Sequence, residues 1–404
     1  MSTTTQKNVL TRFAMAIPES ETLKMARMAR ELRAQGHDVI SLSLGEPDFD
    51  TPEHIKTAAK AALDAGFTKY TPVAGIPELT KAISDKLKRE NNLDYSPAQI
   101  LVSNGAKQSL SNVAFALLQE GDECIIFAPY WVSYAEIVRM TGAKPVFVSA
   151  DIEQDFKVTA AQVEAAITER TKMVMFSSPC NPTGSVFSET ELREIAAVLA
   201  KHDDIFIVSD EIYEHINFTK KHFSIGSVAA IADRVITVNG FAKGFSMTGW
   251  RLGYIAGPKN VVDACNRIQS QVTSGANSFS QKAAVVALES DLTASFEMRD
   301  AFLRRRNLVI SLFSDIEGFK VNHPEGAFYL FPDVSAVFGK TAPDGTVIAN
   351  ADDFADYIML NSYVGLVSGS AFGADNCVRV SYAASDAQLK EAARRIKKAV
   401  NELV

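Results

Sequence analysis

Three apolar runs in this sequence each end in side chains that can do chemistry. Lys172 to Phe176 leads into Ser177-Ser178-Pro179-Cys180-Asn181-Pro182-Thr183-Gly184. Ile205 to Val208 leads into Asp210-Glu211-Ile212-Tyr213, and Val235 to Val238 into Asn239-Gly240-Phe241-Ala242-Lys243-Gly244. If the runs are parallel strands of one sheet, their carboxyl ends share an edge, which is where open α/β sheets bind ligands. An amide, a carboxylate, a phenol and an ammonium then converge, groups that serve acid–base and amine chemistry. Each also has an ordinary role. Asn181-Pro182-Thr183-Gly184 is good turn chemistry, Asp210 suits a helix N-cap, and Lys243 between small residues suits an exposed loop. The stretch Ser103-Asn104-Gly105-Ala106-Lys107 follows a strand and opens the apolar helix Gln108 to Leu118, so its backbone N–H groups could hold a phosphate. It is not GxGxxG, and a tight turn explains it equally well.

The elements that must position these groups show a rhythm. Short apolar runs recur at Gln99 to Val102, Glu123 to Phe127, Lys172 to Phe176, Ile205 to Val208, Val235 to Val238 and Leu252 to Ala256. Continuous runs of this length suit strands buried on both faces, hence a largely parallel sheet. Ser188 with Glu191 three residues later makes a capping box for a helix to about Lys201, and Thr51-Pro52-Glu53 starts another with Thr as N-cap. From about Leu288 a long helical pattern runs through Glu297, Arg304, Arg305 and Arg306. Short strand-like runs follow (Ala327 to Leu330, Val364 to Val367, Val378 to Ser381), then an amphipathic helix, Asp386 to Leu403. The fold class is therefore α/β: a large domain with a mostly parallel central sheet flanked by helices, plus a smaller α+β domain. We place the large, cofactor-binding domain at 50–290 and a discontinuous small domain at 1–49 together with 291–404.

Composition excludes several classes. The 404 residues carry 41 Lys plus Arg against 48 Asp plus Glu, a net charge of -7, so nothing favours nucleic acid or an anionic membrane as partner. No apolar run approaches the ~18 residues that span a bilayer, and Met1 to Val9 is polar, so the expected compartment is the cytoplasm. Cys124, Cys180, Cys265 and Cys377 form no CxxC pair and read as free thiols. The six histidines make no HExxH and no close pair, so no metal is indicated.

The run Asn239-Gly240-Phe241-Ala242-Lys243-Gly244-Phe245-Ser246-Met247-Thr248-Gly249-Trp250-Arg251-Leu252-Gly253-Tyr254 resembles the lysine segment of the fold-type I pyridoxal-phosphate aminotransferases. Further motifs look like that family's, in its order: Gly45-Glu46-Pro47-Asp48-Phe49, Lys69-Tyr70, Gly75-Ile76-Pro77-Glu78-Leu79, Pro129-Tyr130-Trp131-Val132-Ser133-Tyr134, Asn181-Pro182-Thr183-Gly184, Ser209-Asp210-Glu211-Ile212-Tyr213 and Val378-Arg379-Val380-Ser381-Tyr382-Ala383. The likeness runs from about Pro18 to the C-terminus and is nearest to the bacterial-type aspartate aminotransferase subgroup.

The resemblance implies roles residue by residue. Lys243 would form a Schiff base with pyridoxal phosphate and shuttle a proton between the substrate Cα and the cofactor's C4′. Asp210 would keep the pyridine nitrogen protonated, Asn181 and Tyr213 would hydrogen-bond the ring's phenolic oxygen, and Trp131 would stack on the ring. The phosphate would lie on Gly105 and Ala106 with Arg251, and Tyr70 would reach the phosphate of a neighbouring subunit, giving a homodimer with shared active sites. The family often has a hydroxyl residue just before the lysine, and Gly240-Phe241-Ala242 offers none. Arg379 would clamp the substrate α-carboxylate, beside Gly45, Trp131 and Asn181, and Lys107 would take the distal carboxylate.

The implied reaction is reversible transfer of an amino group from L-aspartate to 2-oxoglutarate. The alternative is a pyridoxal-phosphate aminotransferase or lyase acting on aromatic or other neutral amino acids. A binding protein that keeps the fold without catalysis is disfavoured because every expected catalytic group is present, and a nicotinamide oxidoreductase because GxGxxG is missing. Two departures stand out. Ile17-Pro18-Glu19-Ser20-Glu21-Thr22 puts two acidic residues where relatives often carry a basic one, which weighs against prephenate as an added acceptor. Ser368-Gly369 replaces the usual Pro-Gly and implies a more flexible turn.

Overall fold

The computed structural model describes residues 10, 11, 15, 17, 19, 21–219 and 221–404. The polar start Met1 to Val9, and Pro18 and Ser20 of the acidic segment, lie outside them. Among the described residues the strands are β1 (Ile40–Ser41), β2 (Ile100–Ser103), β3 (Glu123–Ala128), β4 (Lys144–Ser149), β5 (Thr171–Ser177), β6 (Phe206–Asp210), β7 (Val235–Gly240), β8 (Gly253–Ala256), β9 (Tyr329–Leu330), β10 (Val364–Gly365), β11 (Val367–Ser368) and β12 (Val378–Ser381). The α-helices are α1 (Glu21–Ala34), α2 (Glu53–Asp64), α3 (Pro77–Lys86), α4 (Ala106–Leu117), α5 (Ser133–Met140), α6 (Ala160–Ala166), α7 (Glu189–Leu199), α8 (Lys259–Val272), α9 (Ser278–Glu289), α10 (Thr293–Ser314), α11 (Ala351–Ser362) and α12 (Asp386–Asn401).

Seven strands form one sheet in the order β2-β8-β7-β6-β5-β3-β4. The pairings among β3, β4, β5, β6 and β7 are parallel, and β8 runs antiparallel to both its neighbours. Successive residues of one strand enter different cores, as buried strands between two helical layers must. Ile126, Met173, Met175 and Val208 pack with Val113, Ile137 and Cys265 of α4, α5 and α8. Their neighbours Ile125, Val174 and Ile207 pack with Val163, Leu192 and Ile195 of α6 and α7 on the opposite face. Each such buried side chain contributes ~1.5–3 kcal/mol relative to exposure. The remaining strands form a β1-β10 pair and a β11-β12-β9 sheet, packed with α10, α11 and α12 around Phe302, Phe313, Phe354, Leu389 and Ile396.

Several expectations are corrected. β4 has no counterpart among the apolar runs because it is an edge strand, exposed at Lys144, Phe147 and Ser149, so its sequence is no continuous apolar run. The long helical pattern from Leu288 is broken: α9 ends at Glu289, and Asp291 accepts a bond from the Thr293 N–H at 2.9 Å before α10 begins. Val364 to Val367 is two strands in different sheets. Thr51 is not an N-cap; its hydroxyl donates to the Ser246 carbonyl at 2.6 Å and accepts from the Trp250 indole at 3.0 Å, while α2 starts after Pro52. The Ser368-Gly369 turn is held rather than loose. Ser368 Oγ accepts from the Ser370 N–H at 3.3 Å, and the Gly369 N–H donates to the Cys377 carbonyl at 2.7 Å. The Ser188–Glu191 capping box is formed as expected, and all four cysteines are buried and unpaired.

Candidate active site

The carboxyl ends of β5, β6 and β7 deliver Asn181, Asp210 with Tyr213, and Lys243 to one cleft of about 460 Å³. Gly45, Gly105, Ala106, Lys107, Trp131, Arg251 and Arg379 line the same cleft. Tyr70 does not; its side chain is fully exposed on the loop after α2. Eleven of the twelve residues singled out from the sequence therefore come together; the ordinary roles fall away for Asp210 and Lys243, whereas buried Asn181 does sit in a turn, closed by the Gly184 N–H donating to the Cys180 carbonyl at 2.9 Å. No helix follows Asp210, whose carboxylate accepts the Ile212 N–H at 3.2 Å and the Tyr134 hydroxyl at 2.6 Å, and Lys243 is half-buried in the cleft rather than exposed on a loop.

Each charged group is set by its surroundings. Burial, above all, lowers the Lys243 ammonium to about 8, helped by the Arg379 charge, and its Nζ donates to the Gly45 carbonyl. Burial raises the Asp210 carboxyl to about 6, although Tyr134 Oη donates to it at 2.6 Å and favours the ionised form. Burial also pushes the Tyr213 phenol well up, and its hydroxyl meets that of Tyr329 at 2.7 Å. Arg379 is buried between the rings of Tyr329 and Phe372, with its charge 4.7 and 4.9 Å from their centroids. One of its terminal nitrogens donates to Asn181 Oδ1 at 2.9 Å and the other to the Ser43 carbonyl at 2.6 Å. With its carbonyl so committed, Asn181 has its NH2 left to offer the cleft. Lys107, a largely exposed residue, lies 4.9 Å above the Trp131 ring, where partial desolvation and then the Arg251 charge lower its pKa.

The first amides of α4 have no acceptor within their own helix, and Arg251 lies against them, donating to the Asn104 and Thr248 carbonyls at 3.5 and 3.0 Å. This approach needs glycine. A Cβ on Gly105, whose φ is 84°, would sit 2.5 Å from the Arg251 guanidinium, and one on Gly253 would sit 2.3 Å from the Ala106 nitrogen. The missing hydroxyl before Lys243 has a counterpart on the same rim: Thr248 lines the cleft and donates to Glu46 at 3.0 Å.

Sequence reasoning missed Tyr134, Tyr329 and Ser43. Tyr134 had a signal, since it lies three residues after Trp131 in the turn that leads into α5, where its N–H donates to the Trp131 carbonyl at 2.9 Å. Tyr329 had none, because its place depends on how β9 pairs with β12. The acidic residues near the cleft also change meaning. Glu19 pairs with Arg27 at 3.1 Å and Glu21 with Lys24 at 3.3 Å, whereas Thr22 and Leu23 line the cleft. The objection to prephenate drawn from these two carboxylates therefore lapses.

The cleft is a concave site with four cations and two carboxylates, Lys107, Lys243, Arg251 and Arg379 against Glu46 and Asp210, in a chain of net negative charge. A half-buried amine of lowered pKa beside a helix N-terminus with an arginine defines a site for an anionic carbonyl compound. The buried Arg379 Nε, with no acceptor among the described residues, fits a further anion. The residues present thus suit pyridoxal phosphate together with a carboxylate substrate.

The chain belongs to the aminotransferase class I and II family, whose description matches residues 37–396, and it is an aminotransferase. It is 47% identical over 382 residues to the aspartate/prephenate aminotransferase of Cereibacter sphaeroides, covering 94% of this chain and 96% of that one. Similarity to the Petunia hybrida bifunctional aspartate aminotransferase and glutamate/aspartate-prephenate aminotransferase is also 47%, over 95% of this chain and 81% of that one. The aspartate aminotransferase of Rhizobium meliloti superposes with a TM-score of 0.94 at 42% identity, over 98% and 99% of the two chains. No helix among the described residues is long and apolar enough to cross a membrane.

Proposed function

We propose that this chain is a pyridoxal-phosphate-dependent aspartate aminotransferase, moving an amino group reversibly from L-aspartate to 2-oxoglutarate. The observation that carries the reading is the placement of Lys107 and Arg379, two cations for two carboxylates, in the cleft that holds Lys243. When bound, pyridoxal phosphate supplies an aldehyde carbon and an electron-accepting ring, which together weaken the Cα–H bond of an amino acid. Lys243 holds that aldehyde carbon. Once the substrate amine displaces it from that carbon, its pKa of about 8 leaves a usable share of free amine at neutral pH, and the same nitrogen would carry the proton from the substrate Cα to the former aldehyde carbon. Asp210 holds a proton on the ring nitrogen and is itself held by Tyr134. Tyr213 and Asn181 donate to the ring's phenolic oxygen, and Trp131 covers a face of the ring. The α4 amides and Arg251 bind the phosphate, and Arg379 grips the α-carboxylate through parallel N–H groups that a lysine lacks.

The active unit is a homodimer in the cytoplasm. Supporting the dimer, Tyr70 is wholly exposed and lies outside its own cleft, as a residue serving a second copy would. Four unpaired thiols support the compartment. The division into 50–290 and 1–49 with 291–404 draws support from an apolar core of Ile40, Leu42, Phe302, Val380 and Leu389 that lies almost wholly outside 50–290.

A second reading, aromatic substrates, has one observation in its favour. A structure titled aromatic aminotransferase from Pyrococcus horikoshii superposes with a TM-score of 0.85 at 38% identity, over 93% of this chain and 99% of that one. Half-reaction kinetics with aspartate, glutamate, phenylalanine and alanine as donors, and oxaloacetate, 2-oxoglutarate and prephenate as acceptors, separates the readings. Aspartate is expected to have the highest kcat/KM among the donors. Preference for phenylalanine would overturn the assignment.

A further inference from the structure

The turn that carries two of the site residues has a second side. Asp210 and Tyr213 line the cleft, whereas Glu211 and Glu214 are buried behind it and take no part in the chemistry above. Glu211 accepts from Ser224 Oγ at 2.6 Å, His222 Nε2 at 2.9 Å, Ser209 Oγ at 3.0 Å and Asn91 Nδ2 at 3.4 Å. Glu214 accepts from Asn91 Nδ2 and Asn239 Nδ2, both at 2.7 Å, and pairs with the ammonium of Lys86, a lysine 1% exposed. Lys86 also donates to Asn91 Oδ1 at 2.7 Å and lies 3.7 Å from Glu90, which in turn meets His215 Nε2 at 3.0 Å. Burial works to raise the Glu214 carboxyl, yet the charges of Lys86, His215 and His222 hold it far below its ordinary value. Glu211, Glu214 and His222 are metal-ligand types within 4.8 Å of one another, but the Lys86 ammonium already fills that role for Glu214.

The network also reaches the lysine segment. Asn239, which bonds Glu214, accepts from the Gly240 N–H at 2.7 Å, and a Cβ on Gly244 would sit 2.6 Å from His215 Nδ1. One buried set therefore abuts the turn bearing Asp210 and Tyr213 and both flanks of Lys243. Burying two carboxylates and a lysine is costly, and replacing such groups by apolar ones is often neutral for stability, so the set has a use beyond holding the fold together. Both carboxylates and the ammonium of the set are bonded, His222 Nδ1 being its one buried side-chain atom without a partner among the described residues, and such a network favours one geometry because a slip leaves a charge unpaired.

We propose that Glu211, Glu214 and Lys86, with Asn91, His222 and Asn239, are positioning residues that fix Asp210, Tyr213 and Lys243 relative to one another in the cleft. The proposal rests on the site reading above and extends it to the layer behind the turn.

Two variants test it: Glu211→Gln, and Lys86→Met combined with Glu214→Gln. The first leaves only His222 with an uncompensated charge, and that side chain reaches the surface and can release its proton. The second removes an ion pair together and leaves neither partner alone. Each is followed by thermal melting of the cofactor-free enzyme, by the pH midpoint at which Lys243 is acylated in that form, and by kcat and KM of the loaded enzyme. We expect kcat to fall about tenfold or more, since small misplacements have effects of that size, with KM for aspartate within about twofold. The Lys243 midpoint should move upward by about half a unit or more as its surroundings loosen. Folded variants that keep the wild-type midpoint and kcat would overturn the proposal. Failure of both to fold would assign the set to stability alone and overturn it equally. Wild-type cofactor capture at Lys243 runs alongside; its absence would sink the site reading, while the midpoint in the cofactor-free enzyme still decides the network.

Discussion

Tyr134→Phe removes one hydroxyl from beside Asp210 and leaves the ring that packs in the core of α4, α5 and the sheet. A hydrogen bond to a charged group is worth about 1.5–3 kcal/mol. At about 1.36 kcal/mol per pKa unit, its loss raises Asp210 by about 1–2 units, because the bond favours the ionised carboxylate. Starting from about 6, the carboxyl then titrates between about 7 and 8 in the cofactor-free enzyme. Its ionised share at pH 7 falls from about nine-tenths to between about one-half and one-tenth, and cofactor affinity at that pH falls about two- to tenfold. The stability effect has a definite sign. Folded Asp210 binds its proton more tightly than the unfolded chain does, so its contribution is complete below about pH 4 and is lost as pH rises to about 6. In the variant that loss continues to pH 7 or 8. Carbon-13 NMR of the aspartate carboxyls reads the midpoint, and melting at a series of pH values reads the linkage. A midpoint unchanged from wild type, or one that moves down, would refute the reasoning.

Three further outcomes follow from the geometry. In cofactor-free enzyme Lys243 should be acylated with a midpoint near pH 8, and stability should rise from about pH 8 to 10.5, where the unfolded chain holds the extra proton; a midpoint above 10 would remove the desolvated amine. Lys107→Ala should lower kcat/KM about 10²-fold for aspartate, the scale of a lost charge-assisted contact, and far less for alanine or phenylalanine; equal losses would separate Lys107 from substrate selection. Tyr70→Phe should weaken cofactor retention, and hybrids with an Arg379→Ala partner should regain activity, whereas inactive verified hybrids would count against a shared site.

Much of the site was legible in the sequence because its groups sit where buried parallel strands end. Asp210 ends β6, Asn181 and Lys243 follow β5 and β7 at short distances, and a continuous apolar run is a readable signal. What was not legible depends on tertiary pairing. Thr51 reads as a cap from local chemistry, yet the fold brings it against Ser246 and Trp250, and those contacts prevail. Tyr329 reaches Tyr213 across 116 residues of sequence, and Lys86 reaches Glu214 across 128; no local pattern reports either contact. The acidic pair Glu19 and Glu21 misled for a related reason: their partners Arg27 and Lys24 lie one or two turns further along the chain.

The central claim is that Lys243 carries the cofactor and that aspartate displaces it. Borohydride reduction of the loaded enzyme before and after adding aspartate, with the adduct located by mass spectrometry, tests this most directly. Cofactor is expected to be fixed on Lys243 before aspartate is added, with little there afterwards. An adduct on another lysine, or none, would contradict it.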